Sequence, residues 1–474
     1  MTNVRLLAHR PRLRRLAAAT ALALIVLAIA ALGGGARPAA ALRGGVVTPA
    51  VGAHPQYLKV GSFPAKQPPP GTVLFPCQDN SQSNPPATVV CYGPDQIRAA
   101  YGVRQLQNQG INGRGRTIVI IDAFGSPTIA SDLATFNAAW GLPSSTLNVI
   151  APYGVASTDP DNALGWAIET SLDVQWAHVI APKATIDLVV ARSDSDPDIL
   201  KATKYAISNN LGDVISQSYG ESESCVDPGI LNSQHALFDQ ATAKGTSIFA
   251  SSGDEGAAGF SCDGNSFIKD VSNPASDPDV TAVGGTSLTA DAVTGAYESE
   301  TTWNETIAFL SQGDGPTASG GGFSSIYKRP SYQASAISDP RYRGLPDVAY
   351  NAGINGGVLV FITDPADSTL VDVYVVGGTS AGSPQWAALA ALADQEAGSR
   401  LGSINGPLYQ LGTGHSASKY FHDITTGNNS IPRLKGFAGT PVSGYKAGPG
   451  WDAATGLGTP RADNLVPALA QAGS

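Results

Sequence analysis

Short apolar runs rich in β-branched residues alternate with segments of helical period beyond about residue 92. Such runs occupy residues 117–121, 186–190, 214–216 and 247–250. Runs that are apolar throughout indicate strands buried on both faces, as in a parallel sheet covered by helices. The pattern therefore predicts an α/β fold: a doubly wound, mostly parallel sheet with helices on both faces. We find no internal repeat, and no break that would divide residues 92–474 into two domains.

The N-terminal segment has a different pattern. Several arginines precede an uncharged run over residues 16–32, and small residues follow through 39–41. This order predicts a signal peptide over residues 1–41 and a secreted, extracellular protein. A membrane anchor is the alternative, because the apolar run is longer than most signal cores. Residues 42–76, proline-rich at 68–70, have no helical or strand period, and residues 42–91 are interpreted as an N-terminal arm or minimal propeptide.

The charge balance bears on possible partners. The formal net charge is −9, and it becomes −15 when residues 1–41 are removed, because that segment carries six arginines and no acids. An acidic protein lacks the basic patches that nucleic acids and anionic membranes require. We therefore expect no nucleic-acid partner, membrane association only if the leader is retained, and a monomer.

Four cysteines, at positions 77, 91, 225 and 262, predict two disulfides in an exported chain. Three pairings are possible, and we favour the sequence-local pairs Cys77–Cys91 and Cys225–Cys262. A zinc site is disfavoured, because neither a CxxC motif nor clustered histidines accompany them.

A candidate nucleophile lies at a strand-to-helix turn. The apolar run 371–376 reads as a strand, followed by the glycine-rich segment 377–384 around Ser380 and then by an apolar helix from Trp386. Glycines allow close approach of a substrate, and a helix N-terminus favours negative charge that develops nearby. An ordinary helix cap is the local alternative, so Ser380 needs partners.

The segment GTSAGSP at 378–384 resembles the serine motif of the subtilisin and sedolisin clan. The strand end 118–122 and the stretch 273–286 are also similar to that clan, and the resemblance spans roughly residues 92–465. It implies a subtilisin-like fold with Ser380 as nucleophile. Subtilisins supply a histidine base in an HGTH-like stretch, yet no histidine follows Asp122 before His178, and no His-Gly occurs. We interpret His178 as a packing residue.

Two carboxylates on one predicted helix can replace the missing histidine. Over residues 163–179, Glu169 and Asp173 are four apart and therefore share a face beside an apolar stripe. Solvated surface acids are the alternative interpretation. Residues 169–173 resemble the ExxLD signature of the sedolisin family, which implies that Glu169 is the general base and that Asp173 orients it. A carboxylate with a reference pKa of about 4.3 can act as a base in acid, where histidine is protonated.

Asp254, in the segment SSGD at 251–254, is the third element of the resemblance. In sedolisins an aspartate in this motif is thought to donate to the oxyanion, which requires its neutral form. A turn or helix-cap aspartate is the alternative. Asp122 either extends the carboxylate network or caps a turn, and we leave it outside the catalytic set.

Near the C-terminus, residues 421–425 and 447–458 resemble the sedolisin calcium site. The implied ligands of one structural Ca²⁺ are the carboxylates of Asp423 and Asp452 and the carbonyls of Ile424, Gly448 and Gly450. Calcium prefers such oxygen donors. The GxGxD pattern alone would also suit a glycine turn.

Together these features favour a secreted serine-carboxyl peptidase that cleaves polypeptides in acid, as an endopeptidase or a tripeptidyl-peptidase. A catalytically silent binding module on the same fold and a histidine-dependent subtilase are the alternatives. Sedolisin precursors usually carry a large folded propeptide. Only about fifty residues separate the predicted leader from residue 92, so we expect at most a minimal propeptide.

Overall fold

The computed structural model describes residues 56–65, 75–78, 89–306, 316–365, 367–434 and 438–472. The predicted signal peptide and most of the predicted arm lie outside the described residues. Within those ranges, no helix is both long enough and apolar enough to cross a membrane.

The helices of the described ranges, in chain order, are α1 Pro94–Ala100, α2 Val103–Asn108, α3 Ile129–Trp140, α4 Pro160–Ile180, α5 Asp196–Ser208, α6 Pro228–Ala243, α7 Gly382–Ala397, α8 Asn405–Gly412, α9 Ala417–Tyr420 and α10 Ala462–Ala472. Short 3₁₀ helices lie at Glu223–Cys225, Ser331–Ser335 and Thr379–Ala381.

The strands of the first part of the chain are β1 Gln56–Pro64, β2 Cys91–Tyr92, β3 Thr117–Ala123, β4 Thr146–Ile150, β5 Thr185–Ala191, β6 Val214–Gln217, β7 Glu221–Ser222, β8 Ser247–Ser251, β9 Ala258–Phe260, β10 Phe267–Lys269, β11 Ser272–Asn273 and β12 Thr281–Ala290. Those that follow are β13 Tyr297–Thr302, β14 Asn304–Thr306, β15 Pro316–Ala318, β16 Gly322–Phe323, β17 Gly344–Leu345, β18 Val348–Asn351, β19 Gly357–Thr363, β20 Leu370–Gly377, β21 Phe421–His422 and β22 Thr459–Pro460.

The large central sheet has the strand order β13-β12-β8-β6-β3-β5-β4, and β18 pairs with β12. All of its pairings are parallel except that of β13, which runs antiparallel to β12. Strand β3 lies in the middle, with Ile118 opposite Ile186 of β5 on one side and Val214 of β6 on the other. The mostly parallel sheet predicted from the apolar runs is therefore confirmed.

Strand β3 shows why its sequence is apolar throughout. Successive side chains of a strand point to opposite faces of its sheet. Ile118 and Ile120 enter the core that contains α4 and α7, whereas Val119 and Ile121 enter the core beneath α5 and α6. Helices thus cover both faces of the sheet, as predicted.

A second, smaller sheet has the order β1-β20-β19-β2. Strand β1 runs antiparallel to β20, with Gln56 opposite Gly377, and the Lys59 Nζ lies 2.7 Å from the Asp372 Oδ2. The expectation that residues 42–76 lack strand character is wrong for this segment. A register shift between Lys59 and Gly61 breaks the two-residue alternation, so the sequence shows no clear strand period.

Both favoured disulfides are present. Cys77 is joined to Cys91, and Cys225 is joined to Cys262. The first attaches residues 75–78 to β2 at the edge of the smaller sheet, and the second fastens the start of α6 to the β9–β10 hairpin.

Candidate active site

Ser380 lies in the short 3₁₀ helix between β20 and α7, as the strand-to-helix pattern predicted. The turn requires glycine at position 378, where φ is 106° and an added Cβ would lie 2.6 Å from the Asp254 Oδ2. The Ser383 and Ser216 hydroxyls, 2.9 Å apart, hold the first turn of α7 against β6. The nucleophile therefore sits on rigid elements.

The surroundings of Ser380 are the carboxyl ends of the central strands. Its Oγ donates to the Ser218 carbonyl at 3.3 Å, and Ser218 directly follows β6. Side chains that bind and react gather at this edge of open α/β sheets. Ser380 is 7% exposed, whereas Glu169 and Asp173 are completely buried.

Glu169 and Asp173 lie on α4, one turn apart, and neither is exposed. Helix α4 packs against both sheets, and Gln175 and Trp176 donate from it to the Phe361 and Leu359 carbonyls of β19 at 2.7 and 3.0 Å. Both acids are buried because their side chains face Asp122 of β3 and the segments that carry Ser380 and Ser218. The alternative of solvated surface acids is therefore wrong.

Burial raises the pKa of Glu169 well above its usual range, and the negative charge of Asp122 raises it further. A hydrogen bond from Ser380 acts in the opposite direction, as does one from Asp173. Glu169 is thus in reach of both the nucleophile and the second acid. The contacts are looser than ordinary hydrogen bonds, because no oxygen of Glu169 or Asp173 has a partner of normal length and angle. Such looseness is usual in active sites without substrate.

Asp173 and Asp122 complete a cluster of three buried acids. Burial is the main cause that raises the pKa of Asp173, and the negative charges of Asp122 and Glu169 raise it further. A hydrogen bond from Ser218 lowers it. Burial also raises the pKa of Asp122 to about 7, against a hydrogen bond from Thr170. The three carboxyl groups cannot all ionise together, because each charge disfavours the next.

Asp254 approaches the nucleophile from the other side, on the segment that follows β8. Its Oδ1 accepts from both the backbone N–H and the Oγ1 of Thr379, each at 2.8 Å, and Thr379 directly precedes Ser380. The charge of Asp254 also raises the pKa of Glu169. The structure therefore brings all four predicted residues, Ser380, Glu169, Asp173 and Asp254, into one place.

Comparisons with known proteins agree with this geometry. Residues 156–406 match the model of the Subtilase family. The chain is 34% identical to kumamolisin of Bacillus sp. (strain MN-32) over 81% of its length, and 31% identical to sedolisin of Pseudomonas sp. (strain 101) over 72%. A solved structure of Pseudomonas sedolisin, described as a serine-carboxyl proteinase, matches with a TM-score of 0.69 at 29% identity, covering 82% of this chain and all of that one.

The chain belongs to the subtilase family, in its sedolisin branch. It spans 64% of the length of kumamolisin and 56% of the length of sedolisin. The match to the sedolisin structure also confirms the subtilisin-like fold expected from the resemblance.

The histidine that subtilisins use has no counterpart in this sedolisin-branch site. His178 is fully buried on α4, and its Nε2 lies 2.9 Å from the Pro143 carbonyl. Burial lowers the pKa of His178 to about 4. It is a packing residue, as predicted.

The predicted calcium ligands of the sedolisin branch also converge. The Gly450 N–H donates to both oxygens of Asp423 at 3.2 and 3.0 Å, and the Gly448 N–H donates to the Asp452 Oδ2 at 3.0 Å. The loop 448–450 thus lies between the two carboxylates, and an added Cβ at either glycine meets nothing within 4 Å. Carboxylate and carbonyl oxygens are the donors that Ca²⁺ prefers, so the chemistry of the predicted ligand set suits this ion.

Sequence reasoning placed Asp122 outside the catalytic set, yet the structure buries it among the acids of the site. The available signal was its position: it ends an otherwise apolar strand, where only a partnered acid is tolerated. Thr379 and Ser218 were not singled out, because their roles depend on contacts between distant segments.

Proposed function

We propose that this chain is a secreted serine-carboxyl peptidase that hydrolyses peptide bonds of polypeptides in acid. The observation that carries the proposal is the convergence of Glu169 and Asp254 on the Ser380 turn. The arginine-rich N-terminal segment and the two disulfides support export.

In the proposed reaction, the Ser380 Oγ attacks the scissile carbonyl carbon while its proton passes to Glu169. Glu169 then gives that proton to the departing amine, and an acyl-enzyme remains. Water repeats the cycle, with Glu169 again as base, and releases the acid product. Asp173 is the positioning residue, because its contact with Glu169 fixes the orientation of that carboxyl group.

Asp254 would stabilise the oxyanion of each tetrahedral intermediate. A carboxyl group donates a hydrogen bond only when it is protonated. Two hydrogen bonds from Thr379 to the Asp254 Oδ1 fix the orientation of the carboxyl group, and in the proposed mechanism the Oδ2 carries the proton. Catalysis requires Glu169 to be ionised while Asp254 is still protonated. It is therefore restricted to the pH range in which both conditions hold.

One Ca²⁺ would be held by the carboxylates of Asp423 and Asp452 with the carbonyls of Ile424, Gly448 and Gly450. When bound, the ion supplies charge neutralisation and a crosslink between the two segments, without a part in bond cleavage.

The test is cleavage of an unfolded protein across pH by wild type, Ser380→Ala and Glu169→Gln. We expect acid-restricted cleavage by wild type and a loss of several orders of magnitude in both variants. Matched controls are Ser299→Ala and Glu298→Gln, the same changes at exposed positions of β13. These controls should retain wild-type rates.

Each alternative predicts a different result. The absence of cleavage by the folded wild type would favour a silent binding module on the same fold. An optimum at neutral or alkaline pH that survives Glu169→Gln would favour a histidine-dependent subtilase.

A further inference from the structure

A cavity of about 310 Å³ lies next to the segments that hold the nucleophile and the oxyanion donor. We name it the Lys269 pocket, and its lining includes Ala257, Lys269, Val271, Phe323 and Tyr445. The cavity has room for any single amino-acid side chain. It takes no part in the peptide-bond chemistry described above, so its composition bears on which substrate is accepted.

Strand β11 connects the pocket to the reaction centre. An added Cβ on Gly220 would lie 2.1 Å from the Ser272 Oγ, and one on Gly253 would lie 3.4 Å from the Ser272 Cβ. Gly220 closely follows the Ser218 that binds Ser380, and Gly253 precedes Asp254. Ser272 therefore touches both sides of the site, and the residue before it, Val271, is already a wall of the pocket.

The opposite wall gives a second connection. Gly320 packs on the backbone of the residues before Asp254, where its added Cβ would lie 2.0 Å from the Ser252 carbonyl oxygen. The next residues, Gly321 and Gly322, line the pocket. The pocket thus begins beside the oxyanion donor.

The pocket contains two charged groups, the Asp270 carboxylate and the Lys269 ammonium, and they differ in their partners. The Asp270 carboxylate at its base already accepts from the Ser224 N–H at 3.2 Å, from the Ser224 hydroxyl at 2.5 Å and from the Val271 N–H at 2.9 Å. The Lys269 ammonium instead lies 4.5 Å from the centre of the Tyr445 ring. Among the described residues, no carboxylate lies within ion-pairing distance of it. The ammonium has three donors available to a ligand.

We propose that Lys269 makes this pocket select an acidic side chain, glutamate or aspartate, in the substrate residue whose carbonyl is attacked. The proposal rests on the peptidase function proposed above. The Tyr445 ring holds the ammonium at the pocket by a cation–π contact, and Lys269 is the only basic residue among the described residues that line the pocket.

The test uses three peptides that differ only in this residue, which is Glu, Gln or Lys, and the cleavage point is read by mass spectrometry. We expect kcat/KM to be about twofold to fivefold higher for Glu than for Gln, the range of an exposed ion pair. This ratio should rise between about pH 3 and 5, because the glutamate side chain ionises near pH 4.3. Lys269→Met should bring the ratio to one, and Lys269→Glu should favour the Lys peptide. Lys204→Met, which removes an exposed lysine on α5, is the control.

Three outcomes would overturn the proposal. They are equal rates for the Glu and Gln peptides, a Glu preference that survives Lys269→Met, and a preference for the Lys peptide, which would assign the selectivity of the pocket to Asp270. Binding of fluorescent Glu and Gln peptides to Ser380→Ala measures the same preference without cleavage. A chain that binds the Glu peptide more tightly but cleaves neither contradicts the peptidase function alone. Equal binding contradicts the pocket assignment whatever the catalytic result.

Discussion

Two substitutions of Asp254 distinguish the effect of its titratable proton from the effect of its whole side chain. Asparagine removes only the titratable proton, and alanine removes the hydrogen-bonding group. The Oδ1 accepts both Thr379 hydrogen bonds at 2.8 Å, and in the proposed mechanism the Oδ2 carries the proton that is donated to the oxyanion. Asparagine can keep the same oxygen for Thr379 and place its NH₂ group where the Oδ2 was. Alanine removes the group entirely.

The structure sets the expected magnitudes. In the proposed mechanism Asp254 donates one hydrogen bond to the oxyanion. The loss of one such donor lowers kcat by about 10² to 10³, or about 2.7 to 4 kcal/mol. We expect Asp254→Ala to show this loss at the pH optimum and Asp254→Asn to fall between it and wild type. Wild type loses activity as pH rises and the Asp254 proton leaves. The amide does not titrate, so the alkaline limb of Asp254→Asn should move to higher pH.

The assay is kcat/KM for a fluorogenic peptide between about pH 3 and 8 for the three proteins. Thermal unfolding at each pH identifies losses of activity that come from loss of the fold. An alkaline limb of Asp254→Asn that coincides with that of wild type would refute the reasoning. An Asp254→Ala rate within about threefold of wild type would do the same.

Three further predictions follow from other buried groups. Asp122→Asn removes a charge that raises the pKa of Glu169, so the acid limb of kcat/KM should move to lower pH, and an unmoved limb would show that Asp122 ionises after Glu169. Arg343→Met breaks a fully buried pair with Asp347, 2.8 Å apart, and should cost about 3 to 5 kcal/mol in urea unfolding; a change below about 1 kcal/mol contradicts this. Calcium chelation should lower the Tm of wild type by a few degrees and leave that of Asp452→Asn unchanged, whereas equal shifts would argue against the calcium site.

Apolar strands were predictable from the sequence because burial on both faces leaves no polar position. The side chains of strand β3 pack into the two cores on opposite faces of the sheet, so every residue from 118 to 121 is apolar. Strand β1 was not predictable, since it is an edge strand with a register shift after Lys59. Three of its nine residues are exposed and one is buried, and the register shift interrupts the two-residue period.

The shared helix face of Glu169 and Asp173 was predictable because it depends on helix geometry alone. Their complete burial was not. It arises because α4 packs against β3 and against the turn that carries Ser380, which lies more than two hundred residues after Glu169 in sequence. A local pattern carries no information on which distant segment covers a helix.

The two departures from the histidine-dependent site appear in separate segments of the sequence, but the structure shows that they depend on each other. The charge of Asp254 raises the pKa of Glu169. The interaction is reciprocal, so ionised Glu169 disfavours loss of the Asp254 proton. A histidine in place of Glu169 would be cationic in acid and would favour ionised Asp254, which cannot donate to an oxyanion. An aspartate in the oxyanion position therefore requires a base that is negative when active, and the carboxylate of Glu169 meets that requirement.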